Sequence, residues 1–220
     1  MTINRDDIRS IGFDLDQTLY PKSPEVDQAI QAYIHEKIAQ IKGCSVEEGK
    51  RLFLLHYPKL SGRSTLLALG IANAEEIVQK ALENADIAPF LKPNGEVFAL
   101  LKDLKTRYAT ICLITGSNKE LARKKLAALE IPVRLFDHIV TGEVSKSDGT
   151  AYREWLRWCR EQDPMITELN LVYIGDRPAT DVDVPVSLGI AAILVNVAKN
   201  DPTIHAPQLP SLLDVRKLLL

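Results

Sequence analysis

Ile11-Gly12-Phe13-Asp14-Leu15-Asp16-Gln17-Thr18-Leu19-Tyr20 sets two carboxylates two residues apart, directly after a short apolar run and just before a turn. Ile8, Ile11 and Phe13 read as the end of a buried parallel strand, which carries Asp14 out at its carboxyl end. In open α/β sheets that end is where ligands bind. An Asp-x-Asp with a threonine close behind can hold a hard cation and still leave one carboxylate free to attack. Asp and Thr also favour turns in any protein, so this stretch alone leaves a plain turn open. The decision rests on its partners downstream.

The chain has 220 residues, a net charge of -2 and 46% hydrophobic residues, an ordinary globular composition with length for one large domain carrying an insertion. Neither sign of charge dominates, so electrostatics give no support to a nucleic-acid polymer or a membrane surface as partner. Cys44, Cys112 and Cys159 lack metal-site spacing and read as reduced thiols of a cytosolic protein. Cys112 lies inside an apolar run and is expected in the core. The start is polar and acidic, unlike a signal peptide, and no apolar run approaches the ~20 residues of a membrane span. The expectation is a soluble, cytoplasmic protein, a monomer or a homodimer.

After Tyr20 the character changes. Ser23 before Pro24 suits a helix N-cap, and Val26, Ile30, Tyr33, Ile34, Ile38 and Ile41 recur at helical spacing up to Gly43. A second helix is predicted from Ser45, with Glu48 completing a capping box, to about Tyr57, where Pro58 ends it. Short helices follow at Ser64 to Leu69 and after Asn73. Residues 21–88 thus read as a helical block inserted into a core made of 1–20 and 89–220. In that core, apolar strands at 109–114, 137–140, 169–174 and 191–195 alternate with helices, which implies a parallel sheet covered on both faces. A last helix is predicted over Leu212 to Leu219.

Three later loops leave predicted strand ends with residue types suited to a phosphoryl group. Thr115 and the Gly116 amide could donate to phosphate oxygens, although for this loop in isolation a plain turn with a polar N-cap is the leading reading. Lys146 could offset phosphate charge, or could be a solvated loop lysine. Gly175-Asp176-Arg177-Pro178-Ala179-Thr180-Asp181 is stronger: Asp176 leaves a buried strand, and carboxylates gathered at sheet ends repel unless a cation neutralises them.

In this order, Phe13-Asp14-Leu15-Asp16-Gln17-Thr18, Thr115, Lys146, and Gly175-Asp176 with Asp181 closely resemble the four motifs of the haloacid dehalogenase-like superfamily. The resemblance implies a Rossmann-like α/β core with helices on both faces and an inserted α-helical cap. It implies Asp14 as a nucleophile that forms an aspartyl-phosphate, with Asp16 as general acid and then base. Thr115 and Lys146 would hold the phosphoryl oxygens. Mg²⁺ would be bound by Asp14, the backbone carbonyl of Asp16, and Asp176, with Asp181 supporting the metal or Lys146. Relatives commonly follow this lysine with proline, where Ser147 stands here. Lys119, Lys124 and Lys125 are rival lysines, placed behind Lys146 because they lie on the helix after Thr115.

Members that remove halide lack an aspartate at the Asp16 position, so the resemblance implies a phosphatase acting on a small phosphorylated metabolite. Leu19-Tyr20-Pro21 resembles the pyrimidine 5'-nucleotidase type, as does in part His56-Tyr57-Pro58-Lys59-Leu60-Ser61-Gly62-Arg63-Ser64-Thr65. Tyr20, Tyr57, Arg63, Gly116 and Ser117 are accordingly candidate substrate-binding residues. For Arg63 a plain surface position, and for the tyrosines simple packing, stay open. A nucleoside 5'-monophosphate is the first substrate expected. Sugar-phosphate or phosphoglycolate hydrolysis, a phosphomutase on the same scaffold, and a non-catalytic binding protein are the alternatives.

Overall fold

The short apolar runs are the strands: β1 (Ser10–Phe13), β2 (Thr110–Ile114), β3 (His138–Val140), β4 (Leu171–Gly175) and β5 (Ala191–Leu194). The computed structural model describes residues 3–57 and 59–220, so the predicted stop at Pro58 lies outside the described residues. All strand pairs are parallel, in the order β3-β2-β1-β4-β5. β1, β4 and β5 are buried along their whole length, as a parallel sheet covered on both faces requires. The helices are α1 (Pro24–Lys42), α2 (Val46–Leu54), α3 (Gly62–Ala68), α4 (Ala74–Asn84), α5 (Gly95–Arg107), α6 (Lys119–Ala128), α7 (Thr150–Gln162), α8 (Val184–Ser187) and α9 (Arg216–Leu219). None of them, among the described residues, is long and apolar enough to cross a membrane.

The chain divides into two compact units, Met1–Pro21 with Leu91–Leu220, and Lys22–Phe90. In the first, strand alternation sends Cys112, Ile114, Leu171 and Tyr173 to one face, where they pack with Ala151, Tyr152, Trp155 and Cys159 of α7. Trp155 is fully buried, and its indole N–H donates to Ser10 Oγ at 3.1 Å. Gly12 makes this packing possible, since a Cβ there would come within 2.7 Å of Ile114 and 2.9 Å of both Trp155 and Tyr173. Ile111 and Leu113 point to the opposite face and are equally buried. All three cysteines are free thiols, and Cys112 and Cys159 are buried.

The second unit is helical. Ser23 caps α1 by accepting from the Val26 amide at 3.2 Å, and Gly43 closes it in the left-handed conformation at φ 65°. Ile34, Ile38, Phe53, Leu66, Ile77 and Ala81 form its core, drawn from all four helices. α2 ends at Leu54, short of the predicted Tyr57. At the other terminus of the chain, the stretch expected as one helix is a 3₁₀ turn, Leu212–Val215, running into α9.

Candidate active site

β1 is the middle strand, flanked by β2 and β4, and the parallel register brings Phe13 level with Leu113 and Ile174. The residues that follow these strands, Asp14, Thr115 and Asp176, therefore emerge side by side at the carboxyl edge. The strand order reverses between β1 and β4, the place where open sheets leave a crevice.

Asp14 is fixed by its amide, which donates to the Ile174 carbonyl at 2.9 Å. The chain then turns sharply: the Leu19 amide donates to Leu15 O at 3.1 Å, and Gln17 adopts φ 57°. Left-handed backbone at a non-glycine residue needs outside support. Asn196, itself at φ 60°, gives it by donating Nδ2–H to the Gln17 carbonyl at 2.6 Å.

Lys146 reaches this edge from the loop after β3. Its ammonium lies 2.8 Å from Asp14 Oδ1 and 2.7 Å from Asp181 Oδ1, with the Tyr173 ring centroid 5.1 Å away. The side chain is only 4% exposed, a costly place for an ammonium without partners. Burial alone would lower its pKa, but the Asp14 and Asp181 carboxylates outweigh burial and raise it, so it stays a cation.

Asp181 is delivered by a π-helical turn, Pro178–Asp183, a rare conformation that concentrates at functional sites. Its Oδ2 accepts from the backbone amides of Asp176 at 3.1 Å and Arg177 at 3.0 Å, and its Oδ1 accepts from Thr180 Oγ1 at 3.0 Å as well as from Lys146. Although buried, its carboxyl is held below the ordinary value by Lys146, Arg177 and these donors. Asp14 and Asp176 go the other way. Burial, opposed by Lys146 and reinforced by Asp181 and Asp16, pushes Asp14 up to about 6. Burial with the charges of Asp14 and Asp181 pushes Asp176 up to about 8. Carboxylate oxygens of Asp14, Asp176 and Asp181 lie within 4.8 Å of one another. A hard divalent cation fits such an all-oxygen donor set and would relieve the repulsion. Asp181 receives two donors on each oxygen, whereas Asp14 has one on each, Lys146 at 2.8 Å and Thr18 Oγ1 at 3.4 Å, so Asp14 and Asp176 are the less encumbered pair.

Gly175 lets Asp181 fold back over the strand end, since a Cβ there would stand 2.4 Å from Asp181 Oδ2 and 2.5 Å from its Cβ. Gly175→Ala is expected to displace Asp181 and with it Lys146. Overpacking of this kind costs ~1–3 kcal/mol. A lower thermal unfolding temperature than that of the wild type checks this.

Thr115 is buried; its amide donates to Val140 O at 3.0 Å and its Oγ1 accepts from the Ser117 amide at 3.1 Å. Gly116 is backed by Gly142 so closely that a Cβ on Gly142 would fall 2.1 Å from its carbonyl oxygen. Ser117, a substrate-binding candidate in the sequence, stands beside Asp16. Its hydroxyl hydrogen-bonds Asp16 Oδ2 at 2.6 Å and the Lys125 ammonium at 2.7 Å. Tyr20 is engaged likewise, its hydroxyl donating to Asp16 Oδ1 at 2.5 Å. Tyr57 and Arg63 belong to the helical unit. There Tyr57 stacks on Phe53 at 4.9 Å, and Arg63, on an exposed helix start, pairs with Glu75 at 2.5 Å.

Lys125 is the residue that sequence reasoning set aside. It is fully buried and stands 2.6 Å from Asp16 Oδ1. The buried stripe of α6 contains the signal: Leu121, Ala122, Lys125 and Leu126 share one inward face, and a lysine on such a face needs a buried acid. Arg177 is a second addition, its charge favoured by Asp14, Asp181, Asp176 and Asp16 against the burial that opposes it.

A family model described as haloacid dehalogenase-like hydrolase matches residues 8–189, which takes in Asp14, Asp16, Thr115, Lys125, Lys146, Asp176 and Asp181. The chain belongs to that family. Its fold is similar to that of a HAD phosphatase from Thermococcus onnurineus, with 17% identity, 96% of this chain and 98% of the other covered, and a TM-score of 0.63. A haloacid dehalogenase-like family protein from Streptococcus pneumoniae has 18% identity, coverage of 98% and 100%, and a TM-score of 0.64. A 2-haloacid dehalogenase from Pseudomonas syringae pv. tomato has 20% identity, coverage of 96% and 98%, and a TM-score of 0.56. No curated protein sequence matches the chain. Since one fold serves both phosphatases and dehalogenases, the reaction must be argued from the side chains.

Proposed function

We propose that this hydrolase is a Mg²⁺-dependent phosphatase that cleaves small phosphate monoesters by way of a phosphorylated Asp14. The observation that carries the reading is the second carboxylate, Asp16, held by three hydrogen-bond donors beside Asp14. Halide leaves carbon as a stable anion and needs no proton, whereas an alkoxide leaving phosphorus does. A positioned acid two residues from the nucleophile suits the second reaction.

In this mechanism an Asp14 oxygen attacks phosphorus and the P–O bond to the alcohol breaks, with Asp16 giving the leaving oxygen its proton. Water then attacks the aspartyl-phosphate, and Asp16 accepts the water's proton, which restores Asp14 and releases phosphate. Lys146 neutralises charge on the phosphoryl oxygens, and Thr115 with the Gly116 amide orients them. Asp14, the Asp16 carbonyl and Asp176 would hold Mg²⁺, which when bound supplies further charge neutralisation. Asp181 keeps Lys146 in place.

A nucleoside 5'-monophosphate stands first among substrates, on the Leu19-Tyr20-Pro21 resemblance, with sugar phosphates and phosphoglycolate next. A cytoplasmic setting accords with three free thiols. Assaying orthophosphate release with Mg²⁺ across nucleoside 5'-monophosphates, sugar phosphates and phosphoglycolate tests the reading. Turnover of at least one compound, with one phosphate per alcohol, is the expected result. Isomerised sugar phosphate with little free phosphate would mark a mutase instead, and silence across the panel would sink the enzyme reading.

A further inference from the structure

Two buried lysines divide the Asp14-Leu15-Asp16 pair between them. Lys146 holds Asp14, and Lys125 of α6 holds Asp16. We propose that Lys125 is the positioning residue for Asp16, fixing the carboxylate that moves the proton in the phosphatase reaction; the inference rests on that reading.

Three elements converge on this carboxylate. Oδ1 accepts from the Lys125 ammonium of α6 at 2.6 Å and from the Tyr20 hydroxyl at 2.5 Å. Oδ2 is 2.6 Å from Ser117 Oγ in the loop after β2, and the same Oγ is 2.7 Å from Lys125. Lys125, Ser117 and Asp16 therefore close a ring of three contacts, and Tyr20 locks it from the turn after β1. A carboxylate gripped on both oxygens has one orientation. Stability alone does not call for this arrangement. Lys125 is fully buried on a face otherwise made of Leu121, Ala122 and Leu126. An apolar side chain of similar length would fill the same space without desolvating an ammonium. What the lysine adds is direction, and proton transfer falls steeply when donor and acceptor are misplaced by about 1 Å.

The distinguishing signature is dependence on the leaving group. A well-placed acid makes the rate nearly indifferent to the basicity of the departing alcohol, and a misplaced one makes basic leaving groups slow. Lys125→Met keeps length and apolar bulk. Its kcat/KM would be measured on substituted phenyl phosphates running from 4-nitrophenyl, which leaves readily, to 4-methoxyphenyl, which does not. The expected loss is under ~10-fold on the first and on the order of 10²-fold on the second, the range of general acid catalysis. An equal loss along the series, or none, would overturn the proposal while leaving the phosphatase reading intact, provided the wild-type protein hydrolyses the series. If the wild type hydrolyses none of these esters, the phosphatase reading falls and this inference falls with it. Should Lys125→Met not fold, Ser117→Ala and Tyr20→Phe carry the same test. Each removes one donor to Asp16 and should steepen the same dependence by a smaller factor, and a flat response in both counts against the proposal.

Discussion

Asp14→Asn is expected to remove hydrolysis of every phosphate monoester by on the order of 10⁴-fold or more, while the fold persists. The size of the effect follows from the role. A carboxamide cannot form the acyl-phosphate bond, and Asp16 is held by three donors of its own while Asp176 leaves a different strand end. Persistence of the fold follows from the surroundings. The backbone amide keeps its bond to Ile174, and the new side-chain oxygen can still accept from Lys146, which also retains Asp181 at 2.7 Å. Burial has already pushed the Asp14 carboxyl up to about 6, so its ionisation is less favourable in the folded chain than in the unfolded one, even though the charged form dominates near neutral pH. Removing that charge should leave the melting temperature equal to or above that of the wild type. Phosphate release and thermal unfolding measured on one preparation check both halves. Retention of more than about a hundredth of wild-type turnover, set against the 10⁴-fold expectation, would mean that Asp14 is not the nucleophile.

The parallel sheet was readable in the sequence because β1, β2, β4 and β5 are short apolar runs, as strands buried on both faces are, while the partly buried β3 left only a weak signal. The helical block was readable because Val26, Ile34 and Ile38 keep one period along the longest helix of the second unit. Where periodicity ends, so does legibility. The turn at Pro178–Asp183 carries Asp181 by a π-helical path that no propensity pattern announces, and the terminal Leu212–Val215 segment tightens into 3₁₀ geometry. Among site residues, Asp14, Thr115 and Asp176 stood out because each directly follows an apolar run. Lys125 ranked behind Lys146 because it lies on the helix after Thr115, and the partner that explains its burial, Asp16, lies 109 residues away. Tyr20 and Ser117 read from the sequence as substrate-binding candidates. That their hydroxyls serve Asp16 is a three-dimensional fact with no local sequence cause. Arg63 shows the reverse case, since a guanidinium suggestive of recognition pairs with Glu75 on its own surface.

The second large effect concerns the cation. Chelation is expected to abolish turnover and added Mg²⁺ to restore it, and metal binding should be visible without any assay of activity. Asp14 and Asp176 have ordinary values of 3.8 that rise in the folded chain to about 6 and about 8. A carboxyl raised on folding contributes its stability below its unfolded value and loses it as pH climbs through the folded one. For the metal-free protein these two groups therefore erode stability from about pH 4 upward, Asp14 mostly by pH 6 and Asp176 by pH 8. Asp181, lowered on folding, works in the opposite sense and loses its contribution only as pH falls. A divalent cation binds the ionised carboxylates, so its stabilisation should be small at pH 5 and grow towards pH 8, with protons released on binding. At a hundred times its dissociation constant Mg²⁺ adds ~2.7 kcal/mol, which corresponds to ~5–10 °C in melting temperature for a chain of this size. Asp176→Asn should lose most of that Mg²⁺-dependent rise, and should melt higher than the wild type in chelator at pH 8, since it lacks the unfavourable charge. A rise equal at pH 5 and pH 8, or unchanged in Asp176→Asn, would place the cation elsewhere and separate Asp176 from the site.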